Sequence, residues 1–341
     1  MEQVRLGRTG LTVSRNGFGA LPIQRISAGD ASRILRKAFD HGITYFDTAR
    51  FYTDSEEKLG AALSPVRDKI ILATKTGAST TEGFWNDLHT SLHNLKTDYI
   101  DVYQFHNPSF LPLPGQENGL YEAMAEAKKQ GEIRFIGITN HRRSIAEDAI
   151  ACGKYDTLQF PFSYLADEKD IALAAACQKA DIGFLAMKGL SGGLISNAKA
   201  AYAFLRQYEN VLPLWGIQKE TELDEFLSFA DNPPVLDESL QKIIFRDQEE
   251  LAGSFCRGCG YCLPCPAKID IPTAARMSLL LRRAPVEVYT TPEMRENMGR
   301  IKDCIHCRHC AAHCPYGLDT PKLLEENYGD FIQFVERLDK N

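Results

Sequence analysis

The chain has 341 residues, 44% apolar and 25% charged, which is more than one average domain, fewer than three, and ordinary for a globular protein. Its net charge of −6 argues against nucleic acid or an anionic membrane as partner, because phosphate binding needs a basic face. No stretch reaches the roughly 18 apolar residues of a membrane span, and the opening MEQVRLGRTG lacks the apolar core of a signal peptide. The expected location is therefore cytoplasmic, where thiols stay reduced and clustered cysteines mean metal more often than disulfides.

The chain begins with VRLGRTGLTVSR, a hairpin around Gly10 suited to plugging the bottom of a barrel. Short apolar, β-branched runs follow in order: NGFGAL, ITYFDTA, KIILATK, DYIDVYQFHN, IRFIGITN, TLQFPF, IGFLAMK and VLPLWGI. Helical patterns such as DASRILRKAFDHG and NGLYEAMAEAKKQGE lie between them, several ending on a glycine stop. Strand–helix alternation implies parallel pairing. Eight such units in about 230 residues match a closed α/β (β/α)8 TIM barrel. A doubly wound open sheet is the alternative, and no G-x-G-x-x-G follows the first strand to support it. Beyond DNPP, Asp231 to Pro234, the alternation stops. The expected domains are a barrel over residues 1–235 and a C-terminal α-helical domain over 236–341.

In such a barrel the chemistry sits at the C-terminal strand ends. Asp47 ends the second strand, Lys75 the third and His106 the fourth, while Tyr52 lies five residues beyond Asp47. Taken singly these residues read as a helix cap, a solvated lysine, a structural histidine and a packing tyrosine. Together their chemistry is complementary. A phenol is a poor acid near neutrality, a neighbouring ammonium makes it a better one, and a carboxylate can hold that ammonium in place. A neutral imidazole can orient a carbonyl oxygen while the phenol protonates it.

The stretches FDTARFYTDSE, ATKTG and YQFHN resemble the aldo-keto reductase signature in order and spacing, and the resemblance spans roughly residues 3–230. It implies a (β/α)8 barrel and NAD(P)H-dependent reduction of an aldehyde or ketone, with Asp47, Tyr52, Lys75 and His106 as tetrad and Tyr52 as acid. It places cofactor contacts on Gly19 and Ala20, and gives the nicotinamide amide Thr139 and Asn140 with Gln159 beside them. The later loops depart from the family pattern. Met187 and Lys188 stand where many members stack an aromatic ring on nicotinamide. The glycines of GLSGG, Gly189, Gly192 and Gly193, allow a backbone phosphate cradle, with a plain flexible loop as the alternative. In WGIQKETELDEF, Gly216, Gln218 and Lys219 precede Glu222 and Phe226, where the family often has an Arg for the 2′-phosphate, then Gln and Asn. Lys219 offers a point charge instead.

Eight of the ten cysteines fall in two runs: Cys256, Cys259, Cys262, Cys265 and Cys304, Cys307, Cys310, Cys314. The second run is C-x2-C-x2-C-x3-C-P, the bacterial ferredoxin spacing, and the first has x2 before its last cysteine. CPAKIDIP and CPYGLDTP repeat the pattern C-P-x-x-[IL]-D-x-P, with Pro272 and Pro321 suited to a first helical turn. The region resembles an α-helical dicluster ferredoxin module over about residues 250–325. That resemblance implies two 4Fe-4S clusters with crossed ligands: Cys256, Cys259, Cys262 and Cys314 for one, Cys304, Cys307, Cys310 and Cys265 for the other. Two zinc sites are the alternative, although C-x2-C pairs alone would serve zinc. His306, His309 and His313 read as solvated or hydrogen-bonding residues, and Cys152 and Cys177 as ordinary buried thiols.

Three functions fit these features. One is a reductase on NADPH or NADH alone, with clusters for stability or docking. Another is a reductase whose clusters exchange electrons with the barrel or with a ferredoxin or flavodoxin. The third is a non-enzymatic iron–sulfur carrier or redox sensor on a degenerate barrel, which the intact tetrad argues against. Clusters move one electron and nicotinamide moves a hydride, so joining them calls for a flavin or another two-electron relay, and no flavin motif is present. The small-molecule carbonyl substrate is set by loops, where Phe51, Trp85 and Phe110 are candidate pocket walls.

Overall fold

All eight apolar runs form strands of one closed parallel barrel, in the order β10-β3-β4-β5-β6-β7-β8-β9. The computed structural model describes residues 1–251, 253, 255–283 and 286–339. Ala252, Ser254, Ala284, Pro285, Lys340 and Asn341, all within the helical domain expected at 236–341, lie outside the described residues. The barrel strands are β3 (Gly17–Gly19), β4 (Tyr45–Asp47), β5 (Ile71–Thr76), β6 (Ile100–His106), β7 (Ile133–Thr139), β8 (Thr157–Pro161), β9 (Gly183–Met187) and β10 (Val211–Gly216). The ring closes where Leu214 pairs with Gly17 and Gly216 with Gly19. Helices cover the outside, so the strands are buried on both faces and read as continuous apolar runs rather than alternating ones.

The covering helices are α1 (Ala28–Asp40), α2 (Ser55–Leu63), α3 (Thr81–Leu95), α4 (Leu120–Gln130), α5 (Arg143–Cys152), α6 (Glu168–Lys179), α7 (Ala198–Leu205) and α8 (Glu220–Asp231). In α1 the buried residues Ala31, Ile34, Leu35 and Ala38 fall at i, i+3, i+4 and i+7, one stripe of a helix. Ser27 starts that helix by accepting from the Asp30 amide at 3.1 Å, which satisfies one of its orphan donors. Gly131, at φ +84, ends α4 as the sequence predicts.

The N-terminal hairpin pairs β1 (Gln3–Arg5) with β2 (Thr12–Ser14) antiparallel. Its Val4, Leu6 and Val13 pack with Tyr45, Val102, Leu185 and Leu212 from the barrel strands, forming the expected plug. Gly7 seats it. With φ +49, its missing Cβ would lie 2.4 Å from the Asp181 carbonyl oxygen, so any side chain there would force the plug out.

The chain divides into two compact units, one of residues 1–189 and 199–240, the other of 190–198 and 241–341. The second is helical: α9 (Glu238–Glu250), α10 (Ile271–Ala274), α11 (Met277–Arg283), α12 (Val286–Tyr289), α13 (Pro292–Gly299), α14 (His309–Ala312) and α15 (Thr320–Leu338). α10, α11, α13 and α14 pack on α15 around Ile271, Met277, Met298, Leu324 and Phe331. Among the described residues no helix is long and apolar enough to cross a membrane.

Candidate active site and candidate cluster centre

The register brings the predicted tetrad to one end of the barrel. Asp47 ends β4, Lys75 lies one residue from the end of β5, and His106 ends β6. The Lys75 ammonium donates to Asp47 Oδ2 and to the Thr48 carbonyl, each at 2.6 Å. Both side chains are nearly sealed, Lys75 at 1% exposure and Asp47 at 4%. Burial pushes the Asp47 carboxyl up and the Lys75 amine down, and each charge opposes the other's shift. Gln104 also donates to Asp47 Oδ1 at 3.3 Å, and Gln159 to Oδ2 at 3.4 Å. The carboxylate thus gathers donors from three other strands and fixes Lys75 rigidly.

Tyr52 lies in the loop between β4 and α2. A turn there, with the Tyr52 amide donating to the Ala49 carbonyl at 3.0 Å, folds the ring back over the strand ends. The Lys75 Nζ sits 5.4 Å from the Tyr52 ring centroid, and the His106 ring meets Tyr52 edge-on at 5.8 Å. Phe51 lies 5.8 Å from the same imidazole and is 65% exposed, so it stands at the mouth of the site. Burial, then the Lys75 charge, pulls His106 down to about 3. The imidazole is therefore neutral at any physiological pH. Trp85 lies in α3 and packs against Phe84 and His89 of that same helix, and Phe110 is 38% exposed.

The residues expected to meet a cofactor are individually placed as follows. Gly19 ends β3, and the buried Ala20 donates its amide to the Asp47 carbonyl at 2.8 Å. Thr139 Oγ1 faces the Met187 sulfur at 3.7 Å. The Asn140 amide is tied at both ends, donating to the Pro108 carbonyl at 2.9 Å and accepting from the Arg142 amide at 2.8 Å. Gln159 joins the Asp47 network. Lys188 has φ +62, and Gly189 packs on Trp215, where a Cβ would lie 2.8 Å from the ring. Gly216 ends β10, and the Gln218 and Lys219 amides both donate to Glu222, at 2.9 and 3.0 Å, opening α8. Ser191, Gly192 and Gly193 have φ +50, +67 and +93, and nothing lies within 4 Å of the missing Gly193 Cβ. Within that run the Gly193 amide is already committed to the Leu190 carbonyl at 2.9 Å.

The cysteine runs share one backbone pattern. Gly258 and Gly260 have φ +62 and +84, and the matching His306 and Arg308 have φ +52 and +57. Asp270 precedes α10 at φ −75, ψ 75, and Asp319 precedes α15 at φ −75, ψ 76, each followed by a proline in the first turn. The tandem repeat is thus a repeat of conformation, down to two non-glycine residues held left-handed. Cys265 lines one cavity with Cys304, Cys307 and Cys310, and Cys262 also reaches it. Burial pushes Cys262 up to about 12, with Cys256 and Cys259 adding to the shift. Tyr316 is raised by burial and by Cys259, and it feels Cys314 as well. Among the described residues no three His, Cys, Asp or Glu side chains are grouped tightly enough for one metal ion. Cys177 is a buried thiol of α6, pushed up to about 12 by burial, and Cys152 lies half-buried at the end of α5.

The sequence matches the Aldo/keto reductase family over residues 15–210, more than half of the chain. The chain belongs to the aldo-keto reductase family. Residues 255–319 match a 4Fe-4S dicluster domain. The chain is 30% identical over 210 residues to the uncharacterized oxidoreductase YqkF of Bacillus subtilis, covering 58% of this chain and 67% of that one. It is 31% identical over 215 residues to the aldo-keto reductase YhdN of Bacillus subtilis, covering 58% and 64%. To the L-galactose dehydrogenase of Arabidopsis thaliana it is 37% identical over 150 residues, covering 39% of this chain and 47% of the relative. Among solved structures, an aldo-keto reductase from Klebsiella pneumoniae in complex with NADPH superposes with a TM-score of 0.62 at 23% identity, over 72% of this chain and 94% of that one. The protein is thus an aldo-keto reductase-type oxidoreductase carrying a 4Fe-4S dicluster domain.

Three residues of this aldo-keto reductase site went unread in the sequence. Gln104 ties Asp47 to Gln159, donating to Gln159 Oε1 at 2.9 Å. Its signal was a lone amide inside the apolar run of β6. Glu56 is 1% exposed and accepts from Arg50, Thr74 and Ser91 at 2.7, 2.7 and 2.6 Å. It lies close enough to favour the charged form of Lys75. His141, directly after Asn140, is 5% exposed and held well below its ordinary value by burial and by Lys188 and His106.

Proposed function

We propose that this aldo-keto reductase reduces an aldehyde or ketone with NADPH or NADH, using Tyr52 as general acid. The observation that carries the reading is the sealed Asp47–Lys75 ion pair beside the Tyr52 ring, with a neutral imidazole at its edge. When bound, a reduced nicotinamide would supply the hydride. The residues supply the rest. The Tyr52 hydroxyl gives its proton to the carbonyl oxygen as negative charge develops there. The Lys75 ammonium stabilises the phenolate left behind, and Asp47 keeps that ammonium charged and in place. His106, neutral throughout, orients the carbonyl oxygen by hydrogen bonding. Gly19, Ala20, Thr139, Asn140, Gln159, Met187, Lys188, Gly189, Gly216, Gln218 and Lys219 are the proposed cofactor contacts. Tyr52→Phe should lower turnover by about 10²–10⁴-fold and leave cofactor affinity unchanged, as loss of a general acid predicts. Unchanged turnover would show that the barrel runs other chemistry.

The proposed clusters are two 4Fe-4S centres with crossed ligands. Cys265 sharing a cavity with the second run, and Cys259 and Cys314 sharing Tyr316 as neighbour, support the crossing. When bound, such clusters would supply one-electron transfer. Anaerobically purified protein should be brown, with about eight iron and eight labile sulfide per chain; zinc in place of iron would overturn the assignment.

The second run supports exchange with a ferredoxin or flavodoxin. Cys307 is exposed and Ile305 beside it is 65% exposed, so a cluster held there has an edge open to a partner.

A further inference from the structure

Glu56 stands in the first turn of α2, 1% exposed, with donors on both carboxylate oxygens. Thr74 and Ser91 donate to Oε1 at 2.7 and 2.6 Å, and Arg50 and Asn94 to Oε2 at 2.7 and 3.3 Å. The side chain accepts at each of these contacts, the pattern of an ionised carboxylate. Of these donors Arg50 alone is charged, and its side chain is 26% exposed. A charge buried this deeply is costly to keep, and neutral side chains could fill the same space. The charge itself therefore calls for a role.

Two of the contacts lead to the reductase site. Thr74 and Lys75 are neighbours on β5, so their side chains leave the strand on opposite faces, Thr74 towards Glu56 and Lys75 towards Asp47. Arg50 lies two residues before Tyr52, and its amide donates to the Lys75 carbonyl at 3.0 Å while Glu56 holds its guanidinium. Thr48, in the same loop, donates its amide to the Ala73 carbonyl at 2.8 Å and accepts from the Lys75 ammonium at 2.6 Å. The loop that carries Tyr52 is thus laced to β5, and Glu56 bonds to both. Burial draws the Lys75 amine down; Asp47 opposes that most, and Glu56 adds to the opposition. Tyr103 of β6 and Asp87 of α3 also face this centre. Burial holds the Tyr103 phenol well above its ordinary value, with Asp87 and Glu56 adding to the shift, and Asp87 accepts from Thr76 at 2.6 Å. On the barrel side Lys75 faces Asp47, Tyr52 and the neutral His106.

We propose that Glu56 is a positioning residue of the reductase site: through Arg50 it fixes the loop that carries Tyr52, and from behind β5 it supplies a second negative charge that holds the Lys75 ammonium. The inference rests on the proposed role of Tyr52 as acid, and its test separates the two.

The test uses the full chain with its clusters, purified anaerobically, as wild type, Glu56→Gln, Glu56→Asp and Arg50→Gln. The probes are NADPH or NADH with 4-nitrobenzaldehyde and a panel of other aldehydes and ketones. Loss of a proton from the coupled Lys75 and Tyr52 ends activity on the alkaline side, whichever group gives it up. Glu56→Gln removes a negative charge and makes that loss easier, so the alkaline limb of kcat should move down by about one pH unit. Arg50→Gln removes a positive charge and should move the limb up. Both should lower kcat by roughly 10–10²-fold by loosening the Tyr52 loop, with the nucleotide KM unchanged. Glu56→Asp keeps the charge on a shorter arm, so it should lower kcat and leave the limb in place. A plain packing role would lower the melting temperature and nothing else. An unmoved limb with wild-type kcat in Glu56→Gln, or limbs moving the same way in Glu56→Gln and Arg50→Gln, overturns the proposal. Should Glu56→Gln not fold, the limb of Arg50→Gln decides: upward supports the proposal, and unmoved or downward overturns it. If the wild type reduces none of the carbonyl probes, it is the Tyr52 reading that fails. Denaturant midpoints from tryptophan emission then decide Glu56, on Glu56→Gln, Lys75→Met and the double variant. A double variant that loses less than the sum of the singles supports the paired charges, and additive losses overturn them. With Arg50→Gln in place of Glu56→Gln the sign reverses, because a Glu56 freed of Arg50 holds Lys75 more strongly: a loss greater than the sum supports the proposal, and additive losses overturn it.

Discussion

The Asp47–Lys75 pair allows a quantitative test of how the site is held together. Asp47→Asn keeps the shape of the side chain and removes its charge, leaving the Lys75 ammonium at 1% exposure without its partner at 2.6 Å. Breaking a buried ion pair from one side costs about 3–5 kcal/mol. Glu56 favours the Lys75 charge from nearby, which puts Asp47→Asn near the lower end, about 3 kcal/mol. Lys75→Met leaves Asp47 the amides of Gln104 and Gln159 at 3.3 and 3.4 Å, so its cost also falls near about 3 kcal/mol. The double variant removes both charges and should cost less than the sum of the singles by at least about 2 kcal/mol. The chain has two tryptophans, Trp85 in α3 and Trp215 in β10, so tryptophan emission follows barrel unfolding without a signal from the cluster domain. That matters because a chain of two units need not unfold in one step. Denaturant titrations at pH 7 on the four proteins complete the cycle. Costs that add within about 0.5 kcal/mol would mean that the two groups do not act as an ion pair.

Acid should weaken the barrel through its neutral histidines. The folded chain holds His106 at about 3, whereas the unfolded chain takes up a proton below its ordinary 6.5, so stability is full above about pH 6.5 and falls as the pH drops towards 3. His141 acts in the same direction. His106→Asn should flatten the acid limb of a melting-temperature profile, and an unchanged profile would refute this account. Cys314→Ser should abolish the cluster of Cys256, Cys259 and Cys262 and about halve the iron content; loss of the Cys304 group's cluster instead would rule out crossed ligation.

The barrel was legible because its period is a matter of packing. A strand buried on both faces must be apolar along its length, and the covering helices must be amphipathic, so the eight runs stand out without long-range information. That Asp47, Lys75 and His106 would lie at one end of the barrel was legible for a related reason, since strand ends are where a parallel barrel exposes side chains. Gln104 and Glu56 were not, because their roles depend on partners 55 and 35 residues away, Gln159 and Ser91, which only the closed ring brings near. The cysteine spacing announced iron–sulfur chemistry. The positive φ of His306 and Arg308 carried no sequence signal, since only their alignment with Gly258 and Gly260 reveals the shared conformation.

The division of the chain was the least legible feature. Composition places a single break near Asp231–Pro234, yet Leu190–Ala198, some forty residues earlier, belongs to the second unit. No local pattern marks that segment as foreign, because its attachment is made by Arg276 and Arg283, donating to the Gly192 and Leu194 carbonyls from α11 and the turn before it. A backbone carbonyl leaves no trace in the sequence.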